Sequence, residues 1–483
     1  MLRLLRAYQY HFLLLALFFL SSQANPSPSS SSTKQLCSEE EAAALIQFKS
    51  SFSIDSAEYC GGIKSYPKTE SWKEGTDCCS WDGVTCDEIK GQVIGLDLSC
   101  SCLKGRISSN STLFHLRHLR ELNLALNDFN YSKMPSKFGG FESLVELNLS
   151  STHFAGQVPS QLSYLSKLVS LDLSGNGNYD DDDLVLDNDT LERLVRNLTE
   201  MRQLHLDELN MSCVNPSALM NLSSSLSSLR LSFCDLRGNF PENIFLLPNL
   251  KYLDLGWNQN LNLKFPELIN RSSPLQLLDL SKLSLSKDDS ISSLQSLKDL
   301  NLIGTSFSGG RGFPASIMNL SSLEHLDAND AYFSGAFGGG LLPDSIGNLV
   351  SLKYLDLSNC NMSGPLPISL GNLSQLTKLS LSNNKFRGQI PSTLTNLTQL
   401  EELSLDHNQL EGSIPDDKVV AIGYGCGLVF GLAVGYVVFQ TGKPKWFVTL
   451  VEEQQHRRRK KPKIGDRSGV RRIYKSVQKL GPW

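Results

Sequence analysis

The sequence predicts an α/β solenoid of about thirteen stacked coils, closed at its N-terminal end by a disulfide-stapled cap and followed by one membrane helix. Three observations predict it. A pattern L-x-x-L-x-L-x-x-N/C-x-L-x-G-x-I-P recurs at a spacing near 24 residues. Cysteines and tryptophans (Trp72, Cys78, Cys79, Trp81, Cys86) cluster just before its first copy. Val419–Phe439 is an unbroken run of 21 uncharged residues.

At the start of the chain, Arg3 and Arg6 precede the apolar run Phe12–Leu20, and Ser22-Gln23-Ala24 supplies small residues for cleavage. Residues 1–24 therefore read as a secretory signal peptide, the run being too short to span a membrane. Residues 25–92 form the cap, which a solenoid needs over the exposed apolar end of its first coil. Within it, Glu39–Phe48 reads as an amphipathic helix with acids in its first turn. Vicinal cysteines do not readily pair with each other, so Cys78 and Cys79 staple different strands. The expected pairs are Cys37–Cys78 and Cys79–Cys86, formed in the oxidising exterior. Secretion and the lack of a nearby histidine argue against a zinc site made from Cys78, Cys79 and Cys86. The pairing of Cys60, Cys100 and Cys102 stays open.

Residues 93–415 are the solenoid. Its units start at Val93, Leu119, Leu144, Leu168, Met201, Leu226, Leu250, Leu275, Leu297, Leu323, Leu352, Leu376 and Leu400. This is the leucine-rich-repeat period. Leu379 and Leu381 alternate with Ser380 and Ser382, so each unit opens with a short strand that buries its leucines on one side. Asn127, Asn176, Asn258, Asn384 and Asn408 stand where the chain turns inward, and their amides are suited to orphaned backbone groups of adjacent coils. Thr152, Cys234, Thr305 and Cys360 share that register, the two cysteines as buried thiols. Leu209, Leu283 and Ala331 break the ladder, so those coils are expected to be less regular. Gly-x-Ile-Pro endings such as Gly388 to Pro391 return the chain to the convex side. At about 4.8 Å per coil, the arc is roughly 60 Å long.

Residues 416–418 form a short stem, 419–439 the membrane helix and 440–483 a tail. The tail carries 13 Lys and Arg against 3 acids, leaving a net −16 on residues 25–418 out of −4 for the whole chain. A body so acidic is not a nucleic-acid binder. Basic residues after the apolar run put the tail in the cytosol and the body outside, as a single-pass type I protein in the cell membrane.

The cap motif Asp77–Cys86 (DCCSWDGVTC), the following Val93–Ser101 (VIGLDLSCS), the 24-residue units and Lys443–Phe447 (KPKWF) resemble plant leucine-rich-repeat receptor-like proteins, the tomato Cf disease-resistance class among them. The resemblance implies a receptor without a kinase domain. It implies binding of an extracellular pathogen- or plant-derived protein or peptide, and signalling in defence through a partner adaptor receptor-like kinase. It also implies about twice as many repeats, a non-repeat island and a second cap, so this chain reads as a short or truncated member. The alternatives are a membrane-tethered inhibitor or decoy that binds microbial wall-degrading enzymes, and a developmental peptide co-receptor.

No catalytic constellation is present, and neither a cofactor nor a metal is expected. The tail lacks kinase motifs, Gly423–Gly427 lies inside the apolar run, and Gly304-x-Ser306-x-Ser308 misses the nucleophile-elbow glycine. His115 and His118 read as solvated. The sequence points instead to surfaces. Tyr252, Asp254, Trp257, Asp279, Asp327, Tyr354 and Asp356 are the expected ligand-binding residues of the concave face, the two aromatics Tyr252 and Trp257 as anchors. The acidic stretch Tyr179–Asp183 reads as a solvated loop. Glycosylation is expected at Asn110, Asn130, Asn188, Asn197, Asn210, Asn221, Asn270, Asn319, Asn361, Asn372 and Asn396, and least at Asn148 within its strand. Gly423, Gly427, Gly431 and Gly435 recur every four residues and form a packing groove for a kinase's membrane helix. The basic run Arg457–Lys461 holds the tail against anionic lipid.

Overall fold

The computed structural model describes residues 37–54, 59–60, 63–177, 183–266, 273–286, 291–308, 313–333 and 340–412. The segments expected as signal peptide, stem, membrane helix with its four glycines and basic tail lie outside them, as do residues 178–182 and Asn270.

A fourteen-stranded sheet runs through the solenoid. Its thirteen parallel strands, from Val93–Asp97 to Glu402–Ser404, correspond one to one with the thirteen units. The middle leucine of each strand is in register with that of the next, as in Leu96 with Leu122, Leu253 with Leu278 and Leu379 with Leu403. These leucines point inward, so stacking rather than any single unit builds the core. Leu209, Leu283 and Ala331 are buried as well. The sheet passes through their units without a register shift, so no irregularity is seen in the strands, while 287–290 and 334–339 of two of these units lie outside the described residues. The leucine ladder fixes the register there, so a missing polar side chain at the turn does not disturb it.

The inward turn takes a fixed form. In every unit the residue before the asparagine position has positive φ: Cys100, Leu126, Ser151, Gly175, Glu208, Phe233, Trp257, Lys282, Gly304, Asp330, Asn359, Asn383 and His407. Left-handed backbone is costly for bulky residues and persists only where the surroundings impose it. The conformation holds whatever residue follows, so the stacked coils impose it, and in five units an asparagine then pairs the turn's polar groups. Asn258 Nδ2 donates to Leu231 O at 2.8 Å and Leu255 O at 2.9 Å, and its Oδ1 accepts from Cys234 N at 3.2 Å and Leu236 N at 2.9 Å. Asn127, Asn176, Asn384 and Asn408 repeat the arrangement. Where the residue is smaller, Thr152 Oγ1 donates to Leu149 O and Thr305 Oγ1 to Leu280 O, while Cys234 and Cys360 are buried thiols.

On the opposite side the prolines of the Gly-x-Ile-Pro endings start short 3-10 turns. Pro159, Pro367 and Pro391 precede them at φ −65°, −63° and −62°, the value the pyrrolidine ring sets. Gly371 is required there, because a Cβ would lie 2.5 Å from Thr393 O of the next coil. One unit differs. The longest unit uses an α-helix, Asn188–Asn197, with Asp187 as N-cap accepting from Thr190 N at 2.7 Å.

The cap helix is Glu39–Lys49, started by Ser38. Its Ala44, Leu45 and Phe48 cover the first coil, and Thr112 Oγ1 donates to Ala44 O at 2.7 Å. Disulfides join Cys37 to Cys78 and Cys79 to Cys86, each with a Cα separation of 5.5 Å. Asp77 Oδ1 accepts from both Cys37 N and Cys79 N, which aligns the two staples. Trp72 and Trp81 stack at 5.5 Å beneath them. Strand Val84–Cys86 then closes the sheet edge antiparallel to Val93–Asp97. Cys100 is disulfide-bonded and Cys102 is a buried thiol, which resolves part of the open trio.

Asn258→Ala should lower unfolding free energy by about 1–3 kcal/mol by orphaning buried carbonyls, and Asn408→Ala, in a half-buried site, by less. Denaturant titration of the two variants would show the difference. Cys79→Ser or Cys86→Ser should cost about 2–5 kcal/mol, read by the same titration.

Candidate ligand-binding face

Strand residues alternate, so the side chains between the leucines stand on the outer face of the long sheet, the usual binding face of a solenoid. They fall into columns with different duties. The second outward column includes Asp254, Asp279, Asp327 and Asp356. One oxygen of each closes the strand end: Oδ1 accepts from Gly256 N at 3.1 Å, Ser281 N at 2.8 Å, Asn329 N at 3.0 Å and Ser358 N at 2.9 Å, respectively. Asn123, Asn148, Asp172 and Asn301 do the same in their units. Half of each carboxylate is thus structural, and only Oδ2 is left for other work.

The expected site residues assemble in two groups on either side of strand Asp299–Asn301. In the first, Tyr252 is 44% exposed, and Trp257 stacks on Phe233 with ring centroids 4.5 Å apart. Lys282 Nζ lies 5.6 Å from the Trp257 centroid. Burial, with Asp279 and Asp207 nearby, pushes the Asp254 carboxyl well above its ordinary range, and burial also raises Asp279. In the second group, Tyr354 OH lies 3.4 Å from Asp327 Oδ2 and 3.5 Å from Asp356 Oδ2, with Lys378 Nζ 5.4 Å from the ring centroid. Burial and the Asp356 charge raise Asp327 to about 6 against the backbone bond from Asn329.

Sequence reading missed Phe233 and Asp207. Phe233 belongs to the left-handed column, whose residue types vary too much to be recognised by pattern. Asp207 is buried, accepts from Ser232 N at 3.0 Å through Oδ1, and meets Arg230 Nε at 3.0 Å through Oδ2. Arg230 stands where most units carry a strand-closing Asp or Asn (His205, Ser380 and Ser404 are the other departures), and Asp207 of the preceding coil supplies the acceptor for Ser232 N.

Asp172, His205 and Ser228 lie in line across three strands. His205 Nε2 is 2.9 Å from Ser228 Oγ, and Nδ1 is 3.6 Å from Asp172 Oδ2. The order is that of a nucleophile relay, but the neighbouring amides are spent in the sheet: Ser227 N and Ser228 N on Arg202 O, Leu231 N on Asp254 O. The pair of free N–H groups that acyl transfer requires is not provided there. The sulfurs of Cys37, Cys78 and Cys79 lie within 4.8 Å of one another. They are held as disulfides, which offer no thiolate to a metal.

Among the sequons, Asn110, Asn130, Asn197, Asn221, Asn319, Asn361, Asn372 and Asn396 are exposed. Asn188 and Asn210 are half-buried, as is Asn148, whose Oδ1 accepts from Ser150 N. His115 and His118 are exposed.

Asp327 gives this face a pH signature. Its carboxyl sits at about 6 in the folded chain against an ordinary 3.8. Its contribution is therefore fully present below the ordinary value and is lost as pH rises through 6. Asp327→Asn should flatten the fall in melting temperature between about pH 4 and pH 6, measured by thermal scans in matched buffers.

The leucine rich repeat N-terminal domain model matches residues 38–87, and the leucine rich repeat model matches residues 351–410. Receptor-like protein 9DC1 of Solanum pimpinellifolium is 42% identical over 291 residues, covering 58% of this chain and 33% of that protein. Receptor-like protein Cf-9 of the same species is 42% identical over 245 residues, covering 49% and 28%. Receptor-like protein 6 of Arabidopsis thaliana is 39% identical over 282 residues, covering 56% and 28%. The chain thus spans a third or less of the length of these curated relatives. Among solved structures, PEPR1-AtPEP1 matches at 27% identity and TM-score 0.55, covering 77% of this chain and 49% of that one. A TDR receptor matches at 28% identity and TM-score 0.53, covering 70% and 59%. With the thirteen-strand ladder and the doubly stapled cap, these matches make the chain a homologue of the plant leucine-rich-repeat receptor-like proteins, the tomato Cf class included.

Proposed function

We propose that this chain is part of a cell-surface receptor-like protein, which binds an extracellular protein or peptide and signals in defence through a partner receptor-like kinase. The observation that carries the reading is the long sheet's outer face. Its structural duties are met by leucines, turn asparagines and one oxygen of each strand-closing acid, yet it also carries exposed aromatics and buried charge that the fold does not require. Tyr252 is 44% exposed there, and Trp257 stacks on Phe233 at the rim. The homologues are named receptor-like proteins, and the PEPR1-AtPEP1 structure, with the same fold, is named for two components.

The division into signal peptide, cap, solenoid, stem, membrane helix and tail belongs to the same proposal. Among the described residues no helix is long and apolar enough to cross a membrane. The anchor is therefore placed at 419–439 on the sequence alone: 21 uncharged residues followed by a basic tail. Glycines at 423, 427, 431 and 435 let a partner helix approach closely, because helices in lipid associate by backbone packing rather than by hydrophobicity. The exposed sequons would carry glycans on the outer side.

Gly427→Leu with Gly431→Leu should leave membrane insertion intact and abolish co-purification of a receptor-like kinase from elicited plant cells. Wild-type kinase recovery with the double variant would remove the glycine face as the coupling device. Endoglycosidase treatment of the full chain should raise its gel mobility; unchanged mobility would overturn the proposed topology.

A further inference from the structure

We infer that the stacked rings of Tyr131 and His153, beyond the inward turns of the second and third units, seat the first N-acetylglucosamine of a glycan carried by Asn130. The inference rests on the proposed placement of the solenoid outside the cell and gives one glycan a defined contact with the fold.

The sequence supplies the attachment point. Asn130-Tyr131-Ser132 is a sequon, and of the twelve in the chain it alone has an aromatic residue between the asparagine and the hydroxyl residue. Asn130 is exposed, and it is held by its backbone, whose N donates to Asp128 Oδ1 at 2.9 Å. Ser132 Oγ, by contrast, is buried with no hydrogen-bond partner among the described residues. A buried hydroxyl left unpaired destabilises a fold. Packing alone would be served as well by alanine there, whereas a sequon requires the hydroxyl.

The neighbouring side chains supply the seat. Asp128 Oδ1, which accepts from Asn130 N, also lies 3.3 Å from His153 Nδ1, so one oxygen holds the glycan-bearing residue and the imidazole together. Asp128 Oδ2 is 3.2 Å from Lys104 Nζ, which fixes the carboxylate in turn. Tyr131 stacks on His153 with ring centroids 5.3 Å apart and planes at 23°. The pair stays open to solvent: Tyr131 is 43% exposed and the His153 side chain 47%. The platform is thus assembled before a sugar reaches it. A pyranose presents C–H bonds along one face, and the negative face of an aromatic ring attracts them as apolar area of both is buried. A sugar tethered to the residue next to Tyr131 meets the ring at high effective concentration, without the entropic cost of free association.

The test uses the full chain from cells that make only oligomannose glycans, trimmed with an endoglycosidase that leaves one N-acetylglucosamine on each occupied asparagine. Peptide mapping by mass spectrometry should find that sugar on Asn130. Hydrogen exchange of the amides of residues 129–134 should be about fivefold slower in the trimmed wild type than in Asn130→Gln or Ser132→Ala, the worth of one aromatic contact. Tyr131→Phe should keep the difference. Tyr131→Ala should abolish it, so that its exchange matches that of the double variant Tyr131→Ala, Ser132→Ala. An unoccupied Asn130 beside other occupied sequons, equal exchange in the wild type and both sequon variants, or a difference that survives Tyr131→Ala would overturn the seat. A chain with no occupied sequon at all would overturn the outer placement on which the seat rests.

Discussion

The inward turn at the end of every strand is the constraint on which the rest of this structure depends. A chain that reverses into its own core buries carbonyls that water cannot reach, and an unpaired buried carbonyl costs as much as a lost hydrogen bond. The turn asparagine meets this with one amide that binds carbonyls of its own coil and of the coil before. Asn384 Nδ2, for instance, donates to Leu357 O at 2.8 Å and Leu381 O at 3.0 Å. Because one side chain serves two coils, no coil is complete without its neighbour. The leucine ladder and the left-handed residue at each turn persist in the units without an asparagine, so stacking and turn geometry hold them there.

The constraint also sorts the surface. The leucines are fixed by burial, the turn position accepts only residues that fit the interior, and each strand-closing Asp or Asn has one oxygen engaged. Freedom remains in the first outward column, in the second oxygen of the acids, and in the left-handed column, where backbone geometry is fixed but side-chain identity is not. Arg230 breaks the strand-closing rule and is compensated by buried Asp207, which reaches Ser232 N at 3.0 Å across coils.

This sorting explains how much was legible in the sequence. The thirteen strands, their register and the asparagine donors follow from leucine spacing, because the interactions that fix them repeat with the pattern. The two cap disulfides were accessible because vicinal cysteines leave few pairings. The α-helix Asn188–Asn197 was hidden in the longest unit, although Asp187 and the spacing of Leu191, Leu194, Val195 and Leu198 encode it. The left-handed column was invisible for a deeper reason. Its residues range from Gly175 to Trp257, so the conformation is imposed by neighbouring coils rather than by local propensity. Asp207 was missed because its role exists only through Arg230 and Ser232 of the next coil.

Energetics in a stack of this kind run along one dimension, each coil coupled mainly to its neighbours. The cap therefore acts on the first coils, through Thr112 on Ala44 O and the ring contacts of Phe52 with Phe48 and Phe129 at 4.9 and 5.8 Å, and does not reach repeats six to eight directly. The stacked Phe233 and Trp257, with Lys282 over the latter, tie three successive coils at the rim, and the Arg230 contact with Asp207 ties two on the sheet. These side-chain ties couple repeats five to eight by more than the stacking of leucines alone.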